Sequence, residues 1–245
     1  MTGIGEGTVF VYTADTAVFS DEELFREAYG IVSPERRKKT DRLRFEKDKY
    51  LSLGAACLLM WACRDFGVDC ARETVITDAN GKPGFAKGFP AFNLSHSGNR
   101  AMCAMARFPV GCDVEGISSA DVSVAERYFC GEEARAILSR EGEAARRDAF
   151  IRLWTLKESF MKCTGLGFAL PMDRFCVTAG DGVTVSGTPD SDMYRFFERD
   201  PLDGYRYAVC VRSGKEELRK EDVKWEDVPI DRALIGALAE EKSAL

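Results

Sequence analysis

The feature that most constrains the fold is an internal repeat, found when the chain is compared with itself at an offset of 100 residues. The stretch KDKYLSLGAACLLMWACRDFG (47–67) aligns with RDAFIRLWTLKESFMKCTGLG (147–167). Both stretches carry apolar residues at helical spacing and stop near a glycine, which is typical of a helix C-terminus. The identical pairs are Asp48/Asp148, Leu53/Leu153, Cys63/Cys163 and Gly67/Gly167.

The same kind of segment follows each copy of the repeat. ETVITDANGK after the first copy and DRFCVTAGDG after the second both predict a strand and a turn. RAMCAMA and VGCDVEGI predict buried strands at the junction between the copies. We therefore expect an α/β (α+β) fold of two similar halves, 1–109 and 110–212, related by pseudo-twofold symmetry with the active site in the cleft between them. The charged remainder, 213–245, ends in a short amphipathic helix and is predicted to be a peripheral extension.

Composition excludes several classes of protein. The hydrophobic fraction of 45% supports a sizeable core, and the net charge of −6 argues against a nucleic-acid-binding protein. No stretch reaches transmembrane length, so we expect no membrane association. The nine cysteines form no CxxC pair, and a single histidine leaves no Cys/His zinc site. Buried free thiols in a reducing, cytoplasmic environment are the expectation.

The single histidine lies in FNLSHSG (92–98), where His96 follows Ser95 at the end of an apolar stretch. A histidine in this position is either a hydrogen-bonded structural residue in a turn or a ligand-binding group. The residue alone leaves both interpretations open.

The strand GCDVEGI (111–117) carries two acids. Asp113 and Glu115 are two positions apart, so their side chains project from the same face. They repel each other unless a cation lies between them, and oxygen ligands suit Mg²⁺. The alternative is an edge strand whose acidic face meets water.

The helix WTLKESFMKCTGLG (154–167) brings Lys157, Glu158 and Lys162 within one turn of each other. An ion pair on a solvated face is the ordinary explanation. The apolar bulk of Trp154 and Phe160 around these charges instead favours a helix that faces a cleft.

Basic residues are concentrated in SPERRKKTDRLRFEKDKY (33–50), where Ser33 and Pro34 predict the start of a helix. Arg36 and Lys39 belong to this cluster, which is either a solvated helix face or a collar for phosphates or an acidic partner. Lys82 lies in the turn NGKPGF (80–85).

The order of these motifs resembles that of the 4′-phosphopantetheinyl transferase superfamily, Sfp type, over about residues 30–176. The matching segments in this chain are SPERRKK, GKP, FNLSHSG, GCDVEGI and WTLKESFMKCTG, with ALPMDRF after them. The resemblance implies transfer of the 4′-phosphopantetheine group from coenzyme A to a serine hydroxyl of an apo acyl or peptidyl carrier protein. The reaction would depend on Mg²⁺ and release 3′,5′-ADP.

The resemblance also implies roles for individual residues. Asp113, Glu115 and Glu158 would hold Mg²⁺ at the CoA pyrophosphate, and Glu158 would accept the proton of the serine, directly or through water. The catalytic set would be Glu158, Asp113, Glu115 and Lys162. The CoA-binding set would be Arg36, Lys39, Lys82, Ser95, His96, Asp113, Lys157 and Lys162, with Lys157 and Lys162 on the pyrophosphate, Lys82 at the nucleotide end and His96 on the 3′-phosphate.

Other functions remain compatible with these residues. One is a CoA- or carrier-binding module without catalysis, and another is a Mg²⁺-dependent hydrolase acting on a different phosphate ester. The chain also departs from the family pattern at Tyr50, where an arginine is common, so one contact to the 3′-phosphate is either missing or supplied by Lys47 or Lys49. We expect a monomer, since two halves in one chain already form a cleft.

Overall fold

A computed structural model describes residues 7–70, 72–180, 182–199, 203–214 and 217–243. Within these residues, no helix combines the length and apolar composition that a membrane span requires. The first part of the chain contains β1 (Val9–Asp15), α1 (Glu22–Ile31), α2 (Pro34–Asp41), α3 (Glu46–Asp65), β2 (Val75–Thr77), β3 (Pro83–Phe85), β4 (Ala91–Ser97) and β5 (Arg100–Ala106). The predicted helix start is confirmed, since the Ser33 side chain accepts a hydrogen bond from the Arg36 amide ahead of Pro34.

The second part of the chain repeats this order of elements. It contains β6 (Val110–Gly116), α4 (Ala125–Tyr128), α5 (Gly131–Leu138), α6 (Glu143–Thr164), β7 (Cys176–Ala179), β8 (Val183–Ser186), β9 (Tyr194–Arg199), β10 (Tyr205–Arg212), β11 (Val223–Asp227) and α7 (Arg232–Ser243). Both long helices of the repeat are therefore confirmed, and the two junction strands are β5 and β6. The helix α6 ends at Gly165, whose φ of 74° lies in the left-handed region.

The strands form two main sheets. The first has the order β11-β1-β5-β4 and the second the order β6-β10-β9. All neighbours are antiparallel except β1 and β11, which are parallel. Two small hairpins, β2-β3 and β7-β8, lie outside these sheets. The mixed α/β architecture with two sheet-bearing halves is confirmed, whereas the pseudo-twofold axis and the boundaries at 109/110 and 212/213 stay predictions.

The alternation of side chains along the strands creates three cores. In β1, Val9 and Val11 point into a core between the two sheets, while Tyr12 and Ala14 point towards α3. A third core lies between the second sheet and α6. The order of layers is thus helix, sheet, sheet, helix. Each large apolar side chain buried in these cores contributes roughly 1.5–3 kcal/mol relative to an exposed one.

The C-terminal elements β11 and α7 belong to the first sheet and its core. β11 pairs with β1 along five residues, from Val9 opposite Val223 to Thr13 opposite Asp227. Leu234, Ile235 and Leu238 of α7 are buried in the core beneath α3. The sequence predicts the short helix but not this pairing, and the interpretation as peripheral is corrected for β11 and α7. The outer limits of the predicted regions, residues 1 and 245, lie outside the described residues.

The expectation of free thiols holds for most cysteines and is wrong for two. Cys130 and Cys176 form a disulfide between the start of α5 and the start of β7. The free cysteines are Cys57, Cys63, Cys70, Cys103, Cys112, Cys163 and Cys210, and all but Cys70 are buried.

Candidate active site

The site lies at the seam where the first sheet meets the second. β4 is the last strand of the first sheet and β6 the first strand of the second, and side chains join them. Asn93 Oδ1 accepts a hydrogen bond from the Cys112 amide at 2.9 Å, and the Cys112 thiol donates to the Asn93 carbonyl at 3.3 Å. The Val114 amide donates to Ser95 Oγ at 3.4 Å. The polar residues of FNLSHSG therefore hold the two sheets together at the site.

Asn93 is a site residue that the sequence analysis missed. It is 4% exposed, and a buried amide in an otherwise apolar strand requires partners. That requirement is visible in FNLS, although the partner in β6 is not, because it depends on how the sheets meet.

The centre of the site is Asp113, which is 2% exposed. Its Oδ1 accepts hydrogen bonds from Ser95 Oγ at 2.8 Å and from Lys162 Nζ at 2.5 Å, and Lys162 also reaches Ser95 Oγ at 3.1 Å. Its Oδ2 is buried and has no partner among the described residues. A buried, unpaired carboxylate oxygen is costly, so this atom is suited to a ligand.

Two further acids face the same space. Glu115 accepts a hydrogen bond from Ser97 Oγ at 2.6 Å. Burial, reinforced by the charge of Asp113, raises the pKa of Glu115 to about 7. The same two causes raise the pKa of Glu158 above its ordinary range, partly offset by Lys162. Asp113, Glu115, Glu158 and Lys162 thus influence one another electrostatically, while their convergence on one ion stays a prediction.

The charge of Asp113 also raises the pKa of Lys162, and in this case it favours the charged form. Burial disfavours its ammonium, but the ion pair with Asp113 outweighs burial, and the pKa of Lys162 is raised. Lys162 is therefore a permanent cation at the site at neutral pH.

A glycine sets the distance between β6 and α6. A Cβ at Gly111 would lie 2.1 Å from the Ser159 carbonyl oxygen and 2.2 Å from the Cys163 amide nitrogen. Only glycine allows this approach, which places Asp113 of β6 against Lys162 of α6.

Lys39, on the basic helix α2, lies within electrostatic range of His96. His96 is exposed, and its pKa is lowered, first by desolvation and then by the charges of Lys162 and Lys39. Desolvation likewise lowers the pKa of Arg36, which is half-buried near Cys57, and that of Lys39, whose side chain stays exposed. No carboxylate pairs with Arg36 or Lys39 in the part of the chain that is described. Uncompensated positive charge of this kind suits an anion.

Lys82 lies where the two halves meet at the C-terminal end of α6. Its ammonium donates to the carbonyl oxygens of Val110 at 3.0 Å and Cys163 at 3.2 Å. The neighbouring Asn80 donates to the Gly165 carbonyl at 2.8 Å. These bonds fix the turn 78–82 to α6 and leave one of the three lysine donors for a ligand.

The prediction that Lys157 contacts the pyrophosphate is wrong in this geometry. Lys157 is fully buried, and its Nζ donates to both carboxylate oxygens of Glu133 at 2.7 Å and to the Phe175 carbonyl at 2.6 Å. Adjacent residues on a helix point about 100° apart, so Lys157 enters the core while Glu158 stays half-buried, within electrostatic range of Asp113 and Lys162.

The donor set at the seam fits a hard divalent cation. Carboxylate oxygens are the ligands that Mg²⁺ prefers, and Asp113 Oδ2 is buried without a partner. Within the described residues, however, no three Asp, Glu, His or Cys side chains are gathered closely enough to form a ready-made metal cluster. Asp113 Oδ1 instead accepts a hydrogen bond from the ammonium of Lys162. The metal set Asp113, Glu115 and Glu158 therefore stays a prediction. Acids and lysines at the seam, with uncompensated basic groups on α2, are a donor set that suits a phosphate-containing ligand.

Comparison with known proteins identifies the family. The sequence profile of the 4′-phosphopantetheinyl transferase superfamily matches residues 109–210. The 4′-phosphopantetheinyl transferase Sfp of Bacillus subtilis (strain 168) is 32% identical over 204 residues, which cover 79% of this chain and 90% of that protein. The 4′-phosphopantetheinyl transferase psf-1 of Bacillus pumilus is 34% identical over 187 residues, 74% of this chain and 79% of that protein.

A solved structure, the holo-[acyl-carrier-protein] synthase of Thermotoga maritima, matches 46% of this chain and 71% of its own at 20% identity and a TM-score of 0.39, too low to compare the folds. The chain belongs to the 4′-phosphopantetheinyl transferase superfamily and is of the Sfp type. It is a transferase of the class that moves the 4′-phosphopantetheinyl group from CoA to carrier proteins, as the resemblance of its motifs implies.

Proposed function

We propose that the chain transfers the 4′-phosphopantetheine group of CoA to a serine hydroxyl of an apo carrier protein in a Mg²⁺-dependent reaction. The serine oxygen forms a bond to the phosphorus that carries the pantetheine arm, and the bond to the bridging oxygen breaks. 3′,5′-ADP leaves with the electron pair of that bond. The observation that carries the proposal is the buried carboxylate of Asp113, with one oxygen on Lys162 and the other without a partner.

Glu158 accepts the proton of the serine hydroxyl, directly or through a water molecule. Its carboxylate faces the seam, and burial together with Asp113 raises its pKa, which makes it a stronger base than an exposed glutamate. No described residue donates a hydrogen bond to this carboxylate, so it is available to the substrate.

Asp113, Glu115 and Glu158 would hold Mg²⁺. When bound, the ion neutralises negative charge on the diphosphate and favours departure of the leaving group. Ser95 and Ser97 orient two of these acids, since each hydroxyl donates to one carboxylate oxygen. Ser95 thus positions Asp113, and its place in the CoA-binding set stays a prediction.

Lys162 contacts the diphosphate as a point charge, and the remaining donor of Lys82 faces the nucleotide end. Arg36, Lys39 and His96 bind the 3′-phosphate. The pKa of His96 is lowered in the free protein by desolvation and by the neighbouring lysines. A phosphate dianion reverses that influence and favours the protonated, donating form.

We further propose that the enzyme is a monomer located in the cytoplasm. The core between the two sheets is formed within one chain, which supports the monomer. Seven free cysteines support a reducing compartment, whereas the Cys130–Cys176 disulfide counts against it. Arg36 and Lys39, on a basic helix of an otherwise acidic protein, favour an acidic carrier.

The test is incubation of the protein with CoA, Mg²⁺ and an apo carrier domain, followed by intact-mass measurement and nucleotide analysis. The carrier is expected to gain the phosphopantetheine mass while 3′,5′-ADP appears in equal amount, and chelation of the metal stops both. Binding of CoA without transfer would identify an inert binding module. Cleavage of CoA with an unmodified carrier would identify a hydrolase.

A further inference from the structure

Two lysines of α6 form ion pairs of very different kinds. Lys157 and Glu133 are 0% and 2% exposed, and both carboxylate oxygens of Glu133 accept from the ammonium. Two amides, Val177 and Cys130, complete the hydrogen bonding of that carboxylate. This pair is saturated and closed to solvent, as a structural ion pair should be.

The pair between Lys162 and Asp113 is incomplete. Lys162 Nζ lies 2.5 Å from Asp113 Oδ1, while Asp113 Oδ2 is buried and has no partner in the described chain. The lysine side chain remains 29% exposed. A structural pair would satisfy both oxygens, so this one leaves room for a further positive group.

Lys162 also acts on the whole acidic set. Its ammonium lies 2.5 Å from Asp113 Oδ1 and interacts electrostatically with Glu115 and Glu158. Its ammonium is thus a protein cation that all three acids share. The flexible four-carbon stem allows the ammonium to leave Asp113 without movement of the helix.

We propose that Lys162 is a built-in counter-ion that occupies the divalent-cation position of the free enzyme and makes binding of Mg²⁺ and CoA cooperative. The inference rests on the proposed function. The diphosphate of CoA draws the ammonium away from Asp113, and the released carboxylate then accepts Mg²⁺. Because coupling is reciprocal, Mg²⁺ tightens CoA binding by the same factor.

The coupling has two physical sources. Without CoA, Mg²⁺ must displace a charge-assisted hydrogen bond and approach an ammonium of like charge. With CoA, the ammonium has an alternative partner, and the diphosphate itself supplies oxygen ligands to the ion. Only the first source depends on Lys162, which makes the two separable by substitution.

The test is a calorimetric titration of Mg²⁺ into metal-free protein, with and without CoA, for wild type, Lys162→Met and Lys162→Gln. Without CoA, both variants are expected to bind Mg²⁺ at least about tenfold more tightly than wild type. With CoA present, neither variant gains affinity for Mg²⁺. Thermal unfolding of each variant shows whether it is folded, and Lys162→Gln, which keeps a hydrogen-bond donor, answers the question if Lys162→Met does not fold.

Lys39→Met is the charge-matched control. It removes one positive charge near His96 that is not among the main influences on Glu115 or Glu158, so Mg²⁺ affinity without CoA is expected to stay within about twofold of wild type. Unchanged Mg²⁺ affinity in both Lys162 variants, or an equal gain in Lys39→Met, overturns the inference. Transfer by the wild-type enzyme is measured separately, so a counter-ion role that fails leaves the proposed function standing. A wild type that transfers nothing overturns that function, while the titration still decides the role of Lys162.

Discussion

The two halves share an order of elements but differ in chemistry at matching positions. The first half runs from β1 through α3 and a hairpin to two strands, and the second runs from β6 through α6 in the same way. At the offset of the repeat, Glu158 and Lys162 of α6 correspond to Leu58 and Ala62 of α3, which are both fully buried in an apolar core. The fold therefore does not require charge at these positions. The difference is what the proposed site predicts, since Glu158 and Lys162 of α6 would then serve the site rather than the architecture.

The largest expected effect is on catalysis in α6. Glu158→Gln should lower kcat by about 1000-fold, equivalent to ~4 kcal/mol of transition-state stabilisation, because it removes the base and a metal ligand together. The melting temperature should be unchanged or higher, since a neutral side chain at this position removes a carboxylate that burial disfavours. Steady-state transfer assays and thermal unfolding measure both. Near-normal turnover would show that Glu158 is neither the base nor a required metal ligand.

The second prediction concerns the opposite face of the same helix. Lys157→Met should lower the free energy of unfolding by about 3 kcal/mol, because it leaves Glu133 buried without its cation. The folded fraction should keep the wild-type KM for CoA, since Lys157 does not reach the seam. Denaturant unfolding and CoA titration provide the two readouts. A large rise in KM with unchanged stability would restore the phosphate role that the motif suggests.

The third prediction compares the last strands of the two sheets, β4 and β9. Asn93→Ala in β4 leaves the Cys112 amide buried without its acceptor and should cost about 1–3 kcal/mol. Arg199→Ala in β9 removes a bidentate pair with Asp227, whose side chain is 59% exposed, and should cost at most about 1 kcal/mol. Asn93→Ala should also lower kcat, because β4 orients Asp113 through Ser95. Equal costs at the two strands would contradict the special position of the β4–β6 seam.

The smallest expected effect is the pH dependence that Glu115 imparts. Its folded-state pKa of about 7 lies above the ordinary value of 4.5, so the folded protein holds this proton more tightly than the unfolded chain. Stability in metal-free buffer should therefore fall as pH rises from about 4.5 to 7 and level off above that range. Glu115→Gln should remove this slope and raise the melting temperature at pH 8 by roughly 2–4 °C, with a much smaller gain at pH 5. Calorimetry at the two pH values measures the difference.

The sequence predicts those parts of the molecule that depend on local pattern. Apolar periodicity and the repeat identify α3 and α6, and alternation in GCDVEGI places Asp113 and Glu115 on one face of β6. Periodicity does not predict the cluster of Ser95, Asp113 and Lys162, which the order of the motifs suggests instead. Lys162 is 49 or more positions away from each of the other two residues, and Ser95 and Asp113 lie in different sheets.

Long-range contacts account for what was not predicted. Helical spacing places Lys157 beside Glu158, but only the position of Glu133, 24 residues earlier, determines that Lys157 is buried. The pairing of β11 with β1 joins residues 214 positions apart, as Thr13 and Asp227 illustrate. The Cys130–Cys176 disulfide spans 46 residues without a spacing motif. In each case the partner is set by the packing of the halves, which a local pattern does not contain.

The most direct test of the central claim is Mn²⁺ binding, followed by electron paramagnetic resonance with CoA present. If the acids of β6 and α6 share one divalent ion, Asp113→Asn should weaken Mn²⁺ binding by at least about 100-fold, since even supporting partners of metal ligands contribute that much. Thermal unfolding confirms that the variant is folded. Wild-type affinity for Mn²⁺ in Asp113→Asn would contradict the account.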